Sequence, residues 1–180
     1  GASAETRIVI LKDAWEVFKS YPFGVGLSAF PIVRKDMFDR EQDTHNLYLE
    51  VLTNIGFHGF LAFCWFVWTI YKVLRVVREK LHAQANKLRK FRDKHPSLEE
   101  TESINAQQSD VSFMLAIANA VSCFLIMRLV LGMFGMDLFE IYWWLCLGLS
   151  IALYRMEKTS SKRTDELIQT LSGQSAPNLL

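Results

Sequence analysis

Residues 111–134 carry one charge, Arg128, and two further stretches are built the same way. Residues 55–71 are apolar apart from His58 and Thr69, and residues 138–154 hold a single charge at Glu140. A helix needs roughly 20 apolar residues to cross about 30 Å of hydrocarbon. The outer two stretches reach that length when their flanks contribute, because Lys72 and Arg155 can extend toward headgroups. Three such blocks predict an all-α, polytopic membrane protein with three transmembrane helices. The 51% hydrophobic content matters here only because it is concentrated in those blocks.

Orientation follows from the Lys and Arg residues, which are retained on the cytoplasmic side when they lie near helix ends. The segment after the first block is densely basic, from Lys72 and Arg75 through Lys87, Arg89, Lys90 and Arg92, and the tail adds Arg155, Lys158, Lys162 and Arg163. Acids outnumber bases over residues 1–54, and the short connection between the second and third blocks has neither Lys nor Arg. The predicted division is an external segment, 1–54, and a three-helix transmembrane region, 55–154, with a basic helical loop in the cytosol over about 75–110. A flexible cytosolic tail, 155–180, completes it. The net charge of +1 conceals this asymmetry. A basic loop beside a membrane helix reads as membrane lipid recognition and topology, so no nucleic-acid partner is expected.

The three cysteines, Cys64, Cys123 and Cys146, all fall inside the apolar blocks and read as small packing residues. No Cys or His set has metal-ligand spacing, and no metal or other cofactor is expected. Trp65, Trp68, Trp143 and Trp144 read as lipid-facing or interfacial anchors. The chain opens on Gly1 without an initiator Met, and with only three spans it is expected to be the C-terminal piece of a longer protein, inactive without its upstream transmembrane helices.

Within the external segment, residues 6–20, TRIVILKDAWEVFKS, place Ile8, Leu11, Trp15 and Phe18 at amphipathic helical spacing. The following YPFGVG predicts a chain reversal, with Pro22 restricting Tyr21 and Gly24 and Gly26 permitting positive φ. A mixed segment of short helix and loop over 27–41 leads to a helix predicted to begin near Thr44 and to run unbroken into the first span. The polar residues 95–110 are expected to be turn-prone, and those after Thr159 frayed.

His45 and Asn46 stand at the mouth of that first span. A neutral imidazole has a ring nitrogen free to accept a proton, and Asn46 or Thr44 can cap the helix that follows. Two readings are open: an interfacial polar pair, or a base beside a membrane surface. Gly56 and Gly59 lie nearly one turn apart, a small-residue surface that lets another helix approach. Arg128, inside the second span near its outer end, is expensive there and must face protein or a polar cavity. Either an ion pair with Asp137 or Glu140, or an anionic ligand, would account for it.

The arrangement His45-Asn46, nine residues, Gly56, two residues, Gly59 resembles the histidine motif of the O-antigen ligase and O-antigen polymerase superfamily. Residues 6–30 resemble that family's Arg-containing helix followed by a P-x-G-x-G turn and an aromatic, with Pro22, Gly24, Gly26 and Phe30 in those places. The resemblance implies a membrane glycosyltransferase of the bacterial cytoplasmic (inner) membrane. Such an enzyme moves a glycan from an undecaprenyl-diphosphate-linked donor to a hydroxyl of a glycan or lipid acceptor on the outer side, as in lipopolysaccharide synthesis. It makes His45 the catalytic group, Arg7 a ligand of the diphosphate, Asn46 a substrate-side residue, and Gly24, Gly26, Gly56 and Gly59 the structural motif. Arg128 lies outside the resembling residues, and on its anionic-ligand reading it would be a second ligand of the diphosphate. A lipid-linked glycan transporter or flippase fragment, or a noncatalytic membrane scaffold, would account for the spans without the histidine motif.

Overall fold

The computed structural model of the chain describes residues 2–94, 98–135 and 140–174, and every regular element among them is an α-helix. They are α1 (Ala2–Ser20), α2 (Phe30–Phe38), α3 (Leu47–Asn54), α4 (Gly56–Lys94), α5 (Leu98–Leu131) and α6 (Tyr142–Gln174). Two compact units emerge, one from Gly1–Thr69 with Leu125–Ile141 and one from Ile70–Phe124 with Tyr142–Leu180.

In the first unit α1, α2 and α3 pack around Ala14, Val17 and Phe30, all fully buried. Burial of Val17 and of Phe30 each contributes roughly 2 kcal/mol through removal from water. The apolar stripe visible in the sequence does not face this core. Ile8, Leu11 and Trp15 are each more than half exposed, while the buried line is Ile10, Asp13, Ala14 and Val17. The reason lies in Asp13. Its carboxylate meets Arg34 of α2, and the small Ala14 beside it lets α2 come close enough to seat Phe30.

The helix expected to run unbroken from Thr44 into the first span is broken. α3 ends at Asn54, Ile55 caps it, and α4 begins at Gly56 with φ +78°. The break receives the turn made by Pro22, Gly24 and Gly26. Val25 N donates to Thr53 O (2.9 Å), Gly26 N to Asn54 O (3.0 Å) and Phe57 N to Pro22 O (3.0 Å). Gly56 therefore accepts a backbone turn where a neighbouring helix was expected. Gly59 lies against the Ile55 side chain of its own segment.

Among the described residues two helices are long and apolar enough to cross a membrane, α4 and α5. The third expected span, 138–154, begins in residues outside the described set. Early α4 presents Leu61, Trp65 and Trp68 to its surroundings, each at least 60% exposed, as a lipid-facing surface would. Trp144 is exposed as well, but Trp143 is buried, which corrects its reading as a lipid-facing anchor. Cys64 and Cys123 are exposed and only Cys146 is buried.

The second unit is a three-helix coiled coil. Buried positions alternate three and four residues apart along α4 (Ile70, Leu74, Val77, Leu81, Gln84, Leu88), along α5 (Ile104, Gln107, Val111, Met114, Ala118) and along α6 (Trp143, Cys146, Ser150, Leu153, Glu157, Ser160, Thr164). This seam overturns two expectations. Described residues before Asp110, from Leu98, are helix rather than turn, and α6 continues to Gln174 where a frayed tail was expected from Thr159. Both stretches are polar on average, but Ile104, Thr164 and Leu171 keep the seam buried.

The seam also carries polar layers. Gln84 Nε2 donates to Glu157 Oε1 (3.1 Å), Ser160 Oγ to Gln84 Oε1 (3.2 Å), and Gln107 Nε2 to Ser160 Oγ (3.0 Å) and Thr164 Oγ1 (3.1 Å). Buried polar side chains linked this closely fix which residues face one another along the seam.

Candidate active site

Asn46 starts α3 with extended backbone (φ −153°, ψ 118°), and its Oδ1 accepts from Tyr48 N (3.0 Å) and Leu49 N (3.1 Å). It is the cap, satisfying two of the donors a helix start leaves unpaired. Its Nδ2 donates to Met133 O (3.1 Å) beyond the end of α5. Leu47 N donates to Gly132 O (2.7 Å) and the Tyr48 hydroxyl to Leu129 O (2.6 Å). The start of α3 thus supplies donors to the carbonyls that the end of α5 leaves free. Partial burial pushes the Tyr48 phenol pKa up, which keeps the donating proton in place.

The residue before this cap is His45, exposed, with φ +45°. A non-glycine side chain rarely occupies that region, and holding one there costs of order 1 kcal/mol. Both sides of the histidine are held. On one side is the Asn46 cap. On the other, the Thr44 hydroxyl donates to Asn46 O (3.2 Å), and Asp43 Oδ1 accepts from Thr44 N (2.8 Å).

His45 lines a cleft of about 370 Å³ together with Thr6, Arg7 and Ile10 of α1, Gln42, and Phe134. Two of the side chains singled out in the sequence, 38 positions apart by their numbers, therefore share one cavity. The Arg7 guanidinium stands over the Phe134 ring, 5.6 Å from its centroid, a cation–π arrangement that orients it without neutralising it. With an imidazole, a guanidinium, a threonine hydroxyl and an amide on its walls, the cleft suits an anion and a hydroxyl side by side.

A buried ion pair, which sequence reasoning missed, sets the relation between Arg7 and His45. Arg34 is 2% exposed; its Nε and Nη2 each lie 2.9 Å from Asp13 Oδ2, and its Nη1 donates to Gln42 O (3.1 Å). Arg40 adds bonds to both Asp13 oxygens (3.2 and 3.1 Å). One guanidinium thus ties the helix that carries Arg7 to the loop that carries His45. The only sequence signal for it was an arginine in the otherwise apolar start of FPIVRKDMF, four residues after Phe30.

Arg128 is half buried in the last turn of α5, where its carbonyl accepts from Gly132 N (2.8 Å), and it does not line this cleft. Asp137, one of its two expected partners, lies outside the described residues. Gly24, Gly26 and Gly56 lie at the break between α3 and α4, and Gly59 lies against the Ile55 side chain. Among the described residues no group of three or more His, Cys, Asp or Glu side chains converges as a metal site would require.

Neither a curated protein nor a solved structure matches the chain. A family model does match, that of the O-antigen ligases, over residues 1–64. The matched stretch contains α1, the glycine turn, α2, the His45 loop, α3 and the start of α4. The segment that carries Arg7 and His45 is thus similar to the O-antigen ligases, a family of membrane glycan ligases and polymerases.

Proposed function

We propose that the Arg7–His45 cleft is the transfer site of a membrane glycosyltransferase that moves a glycan from undecaprenyl diphosphate to an acceptor hydroxyl. The reaction takes place on the outer side of a bacterial cytoplasmic membrane. The observation that carries this reading is the single cavity lined by both side chains.

The chemistry divides between them. The acceptor hydroxyl oxygen attacks the anomeric carbon, its proton passes to the free ring nitrogen of His45, and the bond from the anomeric carbon to the diphosphate oxygen breaks. The electron pair leaves with undecaprenyl diphosphate. Arg7 presents paired N–H donors to that leaving group, and a guanidinium fits phosphate oxygens better than an ammonium does. The diphosphate is already a good leaving group, so orientation, proton removal and charge neutralisation are what the protein supplies. Asn46 acts on the substrate side by holding His45 at the helix start. Arg128 adds positive charge at the end of α5 as a secondary ligand for the donor.

The test is His45→Ala in the full-length protein, with transfer followed from lipid-linked donor to acceptor. Removing a general base lowers rates by about 100-fold or more. The expected result is that loss with normal membrane insertion, and accumulation of lipid-linked glycan on the outer face. Unchanged transfer would return the chain to a scaffold role, and donor trapped on the inner face would make it a transporter.

A further inference from the structure

A second cleft lies wholly within the coiled-coil unit, between α5 and α6. It encloses about 450 Å³. Gln107, Met114 and Ser160 form its buried floor, Phe113 and Met156 an apolar wall, and Arg155, Thr159 and Arg163 a polar one. Arg155, Thr159 and Arg163 follow one another at four-residue intervals along α6, so they form a single stripe. An adjoining hollow shares that stripe and adds Lys158, Lys162 and Glu166.

The place of this cleft along both helices is informative. Asp110 is the last charge of α5 before its long uncharged run, and Arg155 is the first charge of α6 after the apolar residues 141–154. Both helices change from apolar to charged at the same cleft, which puts it at the level of lipid headgroups if either helix enters a bilayer. Its lining is mixed in the same way, with Phe113 and Met156 beside Arg155 and Arg163. Four cations, Arg155, Lys158, Lys162 and Arg163, face two carboxylates, Asp110 and Glu166. Asp110 meets Arg163 at 3.7 Å, and among the described residues Arg155, Lys158 and Lys162 form no ion pair. The cleft is therefore electropositive along its α6 stripe and apolar along the wall made by Phe113 and Met156.

We propose that this cleft binds an anionic phospholipid, with Arg155 and Arg163 on the phosphodiester and Phe113 and Met156 along the first methylenes of an acyl chain. Charge complementarity selects an anionic headgroup, and the apolar wall selects a lipid over a free phosphate. The site is separate from the glycan-transfer cleft and requires only that α5 or α6 enter the membrane.

The test uses the full chain in a neutral detergent, titrated with dioctanoyl phosphatidylglycerol, dioctanoyl phosphatidylcholine or inorganic phosphate, with bound lipid counted by native mass spectrometry. One phosphatidylglycerol per chain is expected, held about tenfold more tightly than phosphatidylcholine and not displaced by millimolar phosphate. The variant R155Q/R163Q should lose that preference, whereas R89Q/K90Q, which removes the same charge elsewhere on the coiled coil, should keep it. Far-UV circular dichroism verifies folding, and R155Q alone, expected to weaken binding severalfold, serves if the double variant is unfolded. Equal binding of phosphatidylcholine, or equal loss in R89Q/K90Q, would overturn the proposal, as would full competition by inorganic phosphate.

Discussion

Gly24 and Gly56 meet backbone to backbone. A Cβ on Gly24 would lie 2.8 Å from Gly56 N and 2.5 Å from Asn54 O, and one on Gly56 would lie 2.7 Å from Gly24 N. Both have positive φ, +91° and +78°. Gly24→Ala and Gly56→Ala should each destabilise the first unit by about 2 kcal/mol or more, because conformational strain adds to contact with rigid backbone. Gly26→Ala is the internal comparison. It shares the positive φ, but the nearest atom to its Cβ is 3.9 Å away, so it should cost only about 1 kcal/mol. Thermal unfolding in detergent would reveal the order, and equal effects at all three positions would contradict the packing described.

His45 at φ +45° makes stability and activity separable. His45→Gly removes the strain of a side chain in the left-handed region and should leave the protein as stable or up to about 1 kcal/mol more so. Transfer should nevertheless fall as far as in His45→Ala. Parallel melting and transfer assays of the two variants test this.

Breaking the Asp13–Arg34 pair should be costly, since it leaves a buried guanidinium without its carboxylate. Asp13→Ala is expected to destabilise by about 3 kcal/mol. Arg40→Ala, which removes only the half-exposed partner, should cost less than about 1 kcal/mol. Denaturant titration of both variants distinguishes the two contributions. In Asp13→Ala transfer should also fall, because the same guanidinium holds the Gln42 carbonyl beside the His45 loop.

The junction between α3 and α5 offers a further pair. A Cβ on Gly132 would meet the Leu47 side chain at 2.7 Å, so Gly132→Ala should push α3 outward and reduce transfer. Tyr48→Phe removes one hydrogen bond to Leu129 O and should cost about 1 kcal/mol with little loss of activity. Transfer rate and melting temperature, read together, distinguish a displaced helix from a lost bond.

Leu81 is fully buried in the coiled-coil seam. Leu81→Ala should destabilise the second unit by about 3 kcal/mol, whereas Arg89→Ala on the exposed face should change stability by less than about 0.5 kcal/mol. Circular dichroism at 222 nm during thermal unfolding would record the difference.

What the sequence made legible, and what it did not, follows physical lines. The apolar runs of α4 and α5, the reversal at Gly24 and Gly26, and the Asn46 cap each depend on residues close together in the chain, so a local reading finds them. The break at Gly56 depends on a turn more than 30 residues earlier, and from α3 and α4 alone the helix looks continuous. On α1 the larger apolar stripe pointed the wrong way, because Asp13 and Ala14 are selected by Arg34 and Phe30 on another helix. The coiled coil was hidden because Gln84, Gln107, Glu157 and Thr164 occupy seam positions, which breaks the apolar pattern that reveals such repeats. Phe134 joined the Arg7–His45 cleft through the α3–α5 hydrogen bonds, a contact with no local signature.

The central claim, an outward-facing His45 within reach of a lipid-linked diphosphate, is tested most directly by chemical labelling. Replace Cys64, Cys123 and Cys146 with Ala, introduce His45→Cys in the full-length protein, and treat intact spheroplasts with a membrane-impermeant maleimide. The account predicts rapid labelling without permeabilisation, slowed severalfold when lipid-linked donor accumulates. Labelling only after the membrane is opened, or at a rate the donor leaves unchanged, would contradict it.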